Sequence, residues 1–238
     1  MTTVKGIFLD LDDTIVAFEM VGDTSWRAAI AGHQNRLAPL TPEEAFTSIK
    51  ASARRFWSDP DRQRLGRLDL HRTRRTIISG AFQTHGIDDA ILVGDLADDY
   101  DRIRNEAVYV FPGAVEAIRH FKADGRRLAL ITNGAAEPQR AKIDRFGLAD
   151  HFDLILIEGE QGMGKPDPRV YQQALITFGL VPSEAVMAGD NWEWDVMGAA
   201  RVGITPVWVN PGDKPRPDGG TLEGVLSVRT IAELPDII

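Results

Sequence analysis

No cysteine occurs among the 238 residues, so disulfides and thiolate chemistry are both excluded. No apolar stretch approaches the roughly 18 residues that a membrane span requires. The opening segment, MTTVKGIFLDLDD, puts aspartates where a signal peptide would need its apolar region. Basic residues are the minority: 27 Lys+Arg stand against 35 Asp+Glu, a net charge of −8. That balance argues against a nucleic acid polymer as partner, because such binding rests on clustered positive charge. Internal repeats and low-complexity tracts are lacking too. These absences lead to the expectation of a cytoplasmic globular protein with no membrane partner, of open oligomeric state. The length allows one large domain or one and a half.

What is present begins at residues 7–14, Ile-Phe-Leu-Asp-Leu-Asp-Asp-Thr, an apolar run that ends abruptly in three aspartates. Side chains alternate along a strand, so Asp10 and Asp12 point one way while Leu9 and Leu11 point into packing. Like charges that close repel, and one would stay protonated unless a cation intervenes. The pattern implies a metal-assisted site at the carboxyl end of the first strand, where open α/β sheets bind ligands.

From about residue 107 onward, short apolar runs alternate with amphipathic segments. Strands are expected at 127–132, 153–157, 185–188, 205–209 and 225–228. Helices are expected at 114–123, at 138–146 with Gly147 as a stop, at 168–178 with Gly179 as a stop, and over 195–200. This alternation means a mostly parallel sheet covered on both faces. Residues 16–106 differ: apolar positions such as Ala45, Ile49 and Phe56, or Ala90, Val93, Leu96 and Tyr100, recur at helical spacing. They read as an insert of about four helices with no continuous strand-like run.

Four stations follow strands. They are Asp10-Leu11-Asp12-Asp13-Thr14; Thr132-Asn133-Gly134, whose hydroxyl and backbone N–H groups suit a phosphate; Lys165 in Gly164-Lys165-Pro166-Asp167-Pro168; and Gly189-Asp190 through Asp195. Singly, a strand-end Asp is often only a cap or turn former. As a set they resemble the haloacid dehalogenase (HAD) superfamily, with DxDxT at Asp10–Thr14, the strand-terminal Thr132, Lys165 in GKPDP and a GDxxxxD that runs to Asp195. The resemblance spans nearly the whole chain. It implies an α/β fold, a Rossmann-like parallel sheet core (1–15 and 107–238) with an inserted α-helical C1-type cap (16–106), a lid over the site.

It further implies Mg²⁺-dependent phosphoryl transfer through an aspartyl-phosphate, on a small phosphorylated metabolite such as a nucleotide or sugar phosphate. In that scheme Asp10 is the nucleophile. Asp12 is the acid and then the base, with a crowded acidic site raising its pKa. Asp10, Asp190 and the main-chain carbonyl of Asp12 hold Mg²⁺, an all-oxygen donor set. Thr132, Asn133, Gly134 and Lys165 bind the phosphate. Thr14 supports the site, and Asp195 orients Lys165 or a metal-bound water. Three carboxylates and a phosphate dianion against the single Lys165 make a divalent cation nearly obligatory.

Other readings carry less. Gly159 to Lys165 mimics the start of a nucleotide-binding P-loop, but Pro166 supplies no hydroxyl for Mg²⁺. A 2-haloacid dehalogenase needs no acid for its leaving halide, and its motif lacks an Asp two residues after the nucleophile. A sugar phosphomutase uses the same aspartates. A non-catalytic binding relative typically loses the nucleophile or the lysine, and both are intact. Arg54, Arg55, Arg62, Arg64, Arg67, Arg72, Arg74 and Arg75 form a cluster that reads as a solvated helix face paired with Asp59, Asp61 and Asp69, or as a receptor for a second anionic group. The histidines match no metal spacing.

Overall fold

The computed structural model describes residues 3–238. Its strands are β1 (Gly6–Leu9), β2 (Val16–Ala17), β3 (Tyr109–Val110), β4 (Arg127–Thr132), β5 (Leu154–Ile157), β6 (Ala185–Gly189), β7 (Thr205–Val209) and β8 (Leu226–Val228). The chain divides into two compact units, one made of the residues up to Ala17 together with Tyr109–Ile238, the other of Phe18–Val108.

In the first unit six strands form one sheet in the order β5-β4-β1-β6-β7-β8, every neighbouring pair parallel. It is the α/β, Rossmann-like core that the alternation implies. The strands are apolar on both faces because both are covered. Phe8, Ala129, Ile131 and Met187 pack into one buried cluster with Val170, Tyr171 and Ala174, while Ile7, Leu9, Leu128 and Leu130 are buried on the alternate face. From β1 the chain order runs outward through β4 to β5, then returns to the other side of β1 with β6. The strand order therefore reverses at β1, and a crevice opens beyond its carboxyl end. The register brings Leu9 level with Leu130 and Ala188, so the residues that follow β1, β4 and β6 emerge at one edge.

The second unit is helical: α1 (Gly22–Gly32), α2 (Pro42–Trp57), α3 (Pro60–Gly66), α4 (Leu70–Gln83) and α5 (Ala90–Ala107). Four of these begin on a side-chain cap. Thr41 forms a capping box with Glu44, and Asp59, Asp69 and Asp89 each accept backbone N–H bonds in the first turn. The unit has its own core, which includes Ile49, Ile78, Phe82, Leu92 and Leu96, with Trp26 stacked on Tyr100 at 3.7 Å. Five helices stand where about four are expected, because Asp59 and Pro60 start the short α3 separately. No strand lies within Phe18–Val108, as expected, and the ribbon that adjoins it in sequence belongs to the first unit. Val16–Ala17 pairs antiparallel with Tyr109–Val110, a ribbon too short to show alternation.

Back in the core come α6 (Ala114–Ala123), α7 (Ala136–Arg145), α8 (Glu158–Gln161), α9 (Pro168–Phe178) and α10 (Gly198–Arg201). Helix α7 starts at Ala136 rather than at Pro138, which sits in the first turn where a missing N–H costs nothing. The expected helix over 195–200 is instead a π-helical turn, Trp192–Met197, followed by α10. The cause is a side chain from elsewhere: the Tyr171 hydroxyl donates to the Trp194 carbonyl, and Asn191 caps Trp194 N at 3.0 Å. None of the described helices is long and apolar enough to cross a membrane.

Candidate active site

Asp10 directly follows β1, its backbone N–H donating to Ala188 O at 3.0 Å, which extends the ladder one residue past the strand. The chain then folds back on itself: Val16 N donates to Leu11 O at 3.0 Å and Asp13 N to Val16 O at 2.6 Å. Asp13 takes a left-handed φ of 55°, which Asp tolerates better than bulkier residues. Thr14 closes the turn onto β6, its Oγ1 accepting from Asp190 N at 3.1 Å. With its carbonyl accepting from Trp208 Nε1 at 2.9 Å, Asp190 has its backbone held on both sides.

Lys165 is the buried hub. Its Nζ donates to Asp10 Oδ1 and to Asp195 Oδ1, both at 2.6 Å, with only 1% of the residue exposed. Its loop is clamped by Asn133, whose Oδ1 accepts from Lys165 N and whose Nδ2 donates to Lys165 O, both at 2.7 Å. Gly164 makes that approach possible, since a Cβ there would stand 2.7 Å from Asn133 Oδ1. Gly189 serves Asp195 in the same way, because a methyl group would collide with its carboxylate. Asp195 is completely buried, and its second oxygen accepts from Asn191 N at 2.9 Å.

Carboxylate oxygens of Asp10, Asp190 and Asp195 lie within 4.8 Å of one another. Burial pushes Asp10 up to about 7 despite Lys165, with Asp195 and Asp12 adding to the rise. Burial, then the charges of Asp10 and Asp195, push Asp190 up to about 9. Lys165 moves upward as well: burial opposes its charge, but Asp10 and Asp195 more than offset it. Three acids against one ammonium leave the cluster short of positive charge. An all-oxygen donor set of this kind could hold a hard divalent cation.

The structure separates Asp12 from this cluster. Its carboxylate contacts Lys142 Nζ and accepts from Gln139 Nε2 at 3.0 Å, so its neighbours are a cation and an amide rather than crowded acids. Thr132 Oγ1 accepts from the same Gln139 nitrogen at 2.6 Å and donates only a long bond, 3.5 Å, to Asn133 O. Gly134 departs from expectation, because its N–H donates to buried Glu158 at 2.9 Å and is already engaged. Asn133 acts through its side chain on the Lys165 loop.

Gln139, Lys142 and Glu158 are therefore site residues that motif reading passes over. A signal exists: Gln139 and Lys142 share the spacing of Ile143 and Phe146, on the face of α7 that should be apolar, and Glu158 directly follows a strand. In the helical unit Arg74 pairs with Asp101 and Arg75 with Asp98 at 3.0 Å. Of the expected partners only Asp59 forms an ion pair among the described residues, with Arg62 at 3.7 Å, while Asp69 caps α4. Trp192 packs against Trp208, ring centroids 4.9 Å apart.

The haloacid dehalogenase-like hydrolase profile matches residues 4–203. A phosphoserine phosphatase of Thermus thermophilus is 34% identical, the match covering 89% of this chain and 91% of that one. A glyceraldehyde 3-phosphate phosphatase of Pyrococcus furiosus is 28% identical, over 89% and 83% of the two chains. Among solved structures, a magnesium-bound HAD hydrolase of Bacillus subtilis superposes with a TM-score of 0.74 at 21% identity, covering 99% of each chain, and so shares the fold.

Proposed function

Because the chain belongs to the haloacid dehalogenase-like hydrolase family and is a phosphomonoester hydrolase, we propose that Asp10 carries the reaction as a covalent nucleophile on a small phosphorylated metabolite, with Mg²⁺ as cofactor. The observation behind this reading is the bond from the buried Lys165 ammonium to Asp10 Oδ1, at 2.6 Å, beside two further carboxylates. A carboxylate so placed is fixed at the crevice edge with one oxygen held and the other left for attack.

In the first half-reaction an Asp10 oxygen bonds to phosphorus. The ester P–O bond breaks with its electron pair on the leaving oxygen, which takes a proton from Asp12. In the second half-reaction Asp12 takes a proton from water as the water oxygen bonds to phosphorus. The bond from Asp10 to phosphorus then breaks, which releases inorganic phosphate and restores the carboxylate. Lys165 and the Thr132 hydroxyl offset charge on the phosphoryl oxygens. Asp10, Asp190 and the Asp12 main-chain carbonyl would hold Mg²⁺, which when bound supplies charge neutralisation for the incoming dianion. Asp195, with both oxygens engaged, orients Lys165.

Asp12 favours ester chemistry over halide displacement, since an alcohol leaving group needs the proton that a halide does not. The test is phosphate release across a panel that includes phosphoserine, glyceraldehyde 3-phosphate, nucleoside monophosphates and sugar phosphates, with and without EDTA. The expected result is free phosphate from a small ester in Mg²⁺, lost in chelator and regained with excess Mg²⁺. Isomerised product without free phosphate would make the protein a mutase, chloride release from haloacids would make it a dehalogenase, and activity that persists in chelator would remove the metal.

A further inference from the structure

Asp12 is held by a part of the fold that none of the recognised motifs includes. Lys142 Nζ contacts its Oδ1, and Gln139 Nε2 donates to its Oδ2 at 3.0 Å. Both partners project from α7, three residues apart and hence on one face. Both are buried, Gln139 at 3% and Lys142 at 9% exposure. Burying a lysine and a glutamine sacrifices hydration and side-chain freedom, so an apolar pair would suit a purely packing face better. The same Gln139 nitrogen also lies 2.6 Å from Thr132 Oγ1 and 2.7 Å from Asn133 O, so its two hydrogens are shared among three acceptors. One side chain thus ties the acid–base carboxylate to the strand end that receives the phosphoryl group.

We propose that Lys142 and Gln139 are positioning residues for proton transfer to the leaving group. Gln139 sets where Asp12 stands relative to Thr132, and Lys142 places an ammonium against the charge that appears on Asp12 as its proton departs. This rests on the phosphatase reading above. As the ester P–O bond breaks, the leaving oxygen keeps the electron pair and takes the Asp12 proton. Asp12 becomes a carboxylate with its counter-charge already in contact, so no solvent rearrangement is needed at that moment. Lys142 keeps its own proton throughout.

A role confined to holding α7 in place makes a different prediction. An alkoxide leaving group needs the proton, whereas p-nitrophenolate departs readily without it. The experiment compares kcat/KM, which reports on steps through phosphoryl transfer to Asp10, for an alkyl phosphomonoester that the protein hydrolyses and for p-nitrophenyl phosphate. Lys142→Met should lose on the order of a hundredfold on the alkyl ester, the lower end for lost acid catalysis, and little on the aryl ester. Lys142→Arg should recover most of the alkyl activity. Gln139→Leu should show the same selective loss, and it carries the test alone if Lys142→Met fails to fold. Equal losses on both esters, or no loss on either, would overturn the proposal. Asp10→Asn separates the two claims: it should abolish both activities, and if it does not, the nucleophile assignment fails whatever the lysine variants show.

Discussion

Asp190 shows how a single residue here is shaped by its surroundings. Its backbone is fixed by Thr14 and Trp208, which leaves its side chain half-buried near Asp10 and Asp195. Burial and those two charges raise it to about 9, against roughly 4 in an unfolded chain. An acid raised in the folded state binds its proton more tightly there than when unfolded. Its contribution is therefore complete below about pH 4 and is lost as pH rises toward about 9. For metal-free protein, Asp190→Asn should melt at a higher temperature than the parent at pH 8, with the gap closing toward pH 4. Added Mg²⁺ should raise the melting temperature of the parent and not of the variant. Equal melting at pH 8 would mean that the carboxylate is not strained by its neighbours. At this scale the motif residues were legible because each follows a strand, so alternation and parallel register put Asp10, Thr132 and Asp190 at one edge. Gln139 and Lys142 carry only the fainter signal of their spacing with Ile143 and Phe146, because polar residues on a helix are ordinarily read as its wet face.

At the scale of elements, punctuation decided what could be read. Helix α9 runs between Pro168 and a left-handed Gly179, φ 65°, and its limits coincide with those expected from the sequence. Strands β4 and β7 are equally plain, as apolar runs between turn residues. The Trp192–Met197 turn was not legible, because the Tyr171 hydroxyl that captures the Trp194 carbonyl arrives from α9, and local sequence carries no trace of it. Caps explain the helical unit. Thr41 Oγ1 accepts from Glu44 N at 3.3 Å while Glu44 Oε2 accepts from Thr41 N at 2.8 Å. Thr41→Ala should lower stability by about 1 kcal/mol in denaturant titration, while kcat on the preferred ester stays unchanged. A change below a few tenths would mean that α2 is held by its apolar face alone.

At the scale of the molecule, one chain carries two self-contained cores, an α/β sheet interrupted after its first strand and a helical insert. The insertion leaves by β2 and returns by β3, which pair antiparallel with Val16 level with Val110. Its two ends are therefore neighbours, and the sheet closes as though the insert were a long loop. That economy is why the core could be read across the inserted unit, Phe18–Val108. The acids and the lysine come from three distant segments, with Thr132 from a fourth, and the parallel register together with the Asn133 clamp on the Lys165 loop assembles them. The proposed mechanism requires Asp10 to bond to phosphorus during turnover. Rapid acid quench of the enzyme with its preferred ester, followed by peptide mass mapping, should find an acid-stable, base-labile phosphoryl group on Asp10. A phosphoryl group on another residue, or turnover with no phosphorylated peptide in Asp12→Asn, where the second half-reaction is slowed, would contradict it.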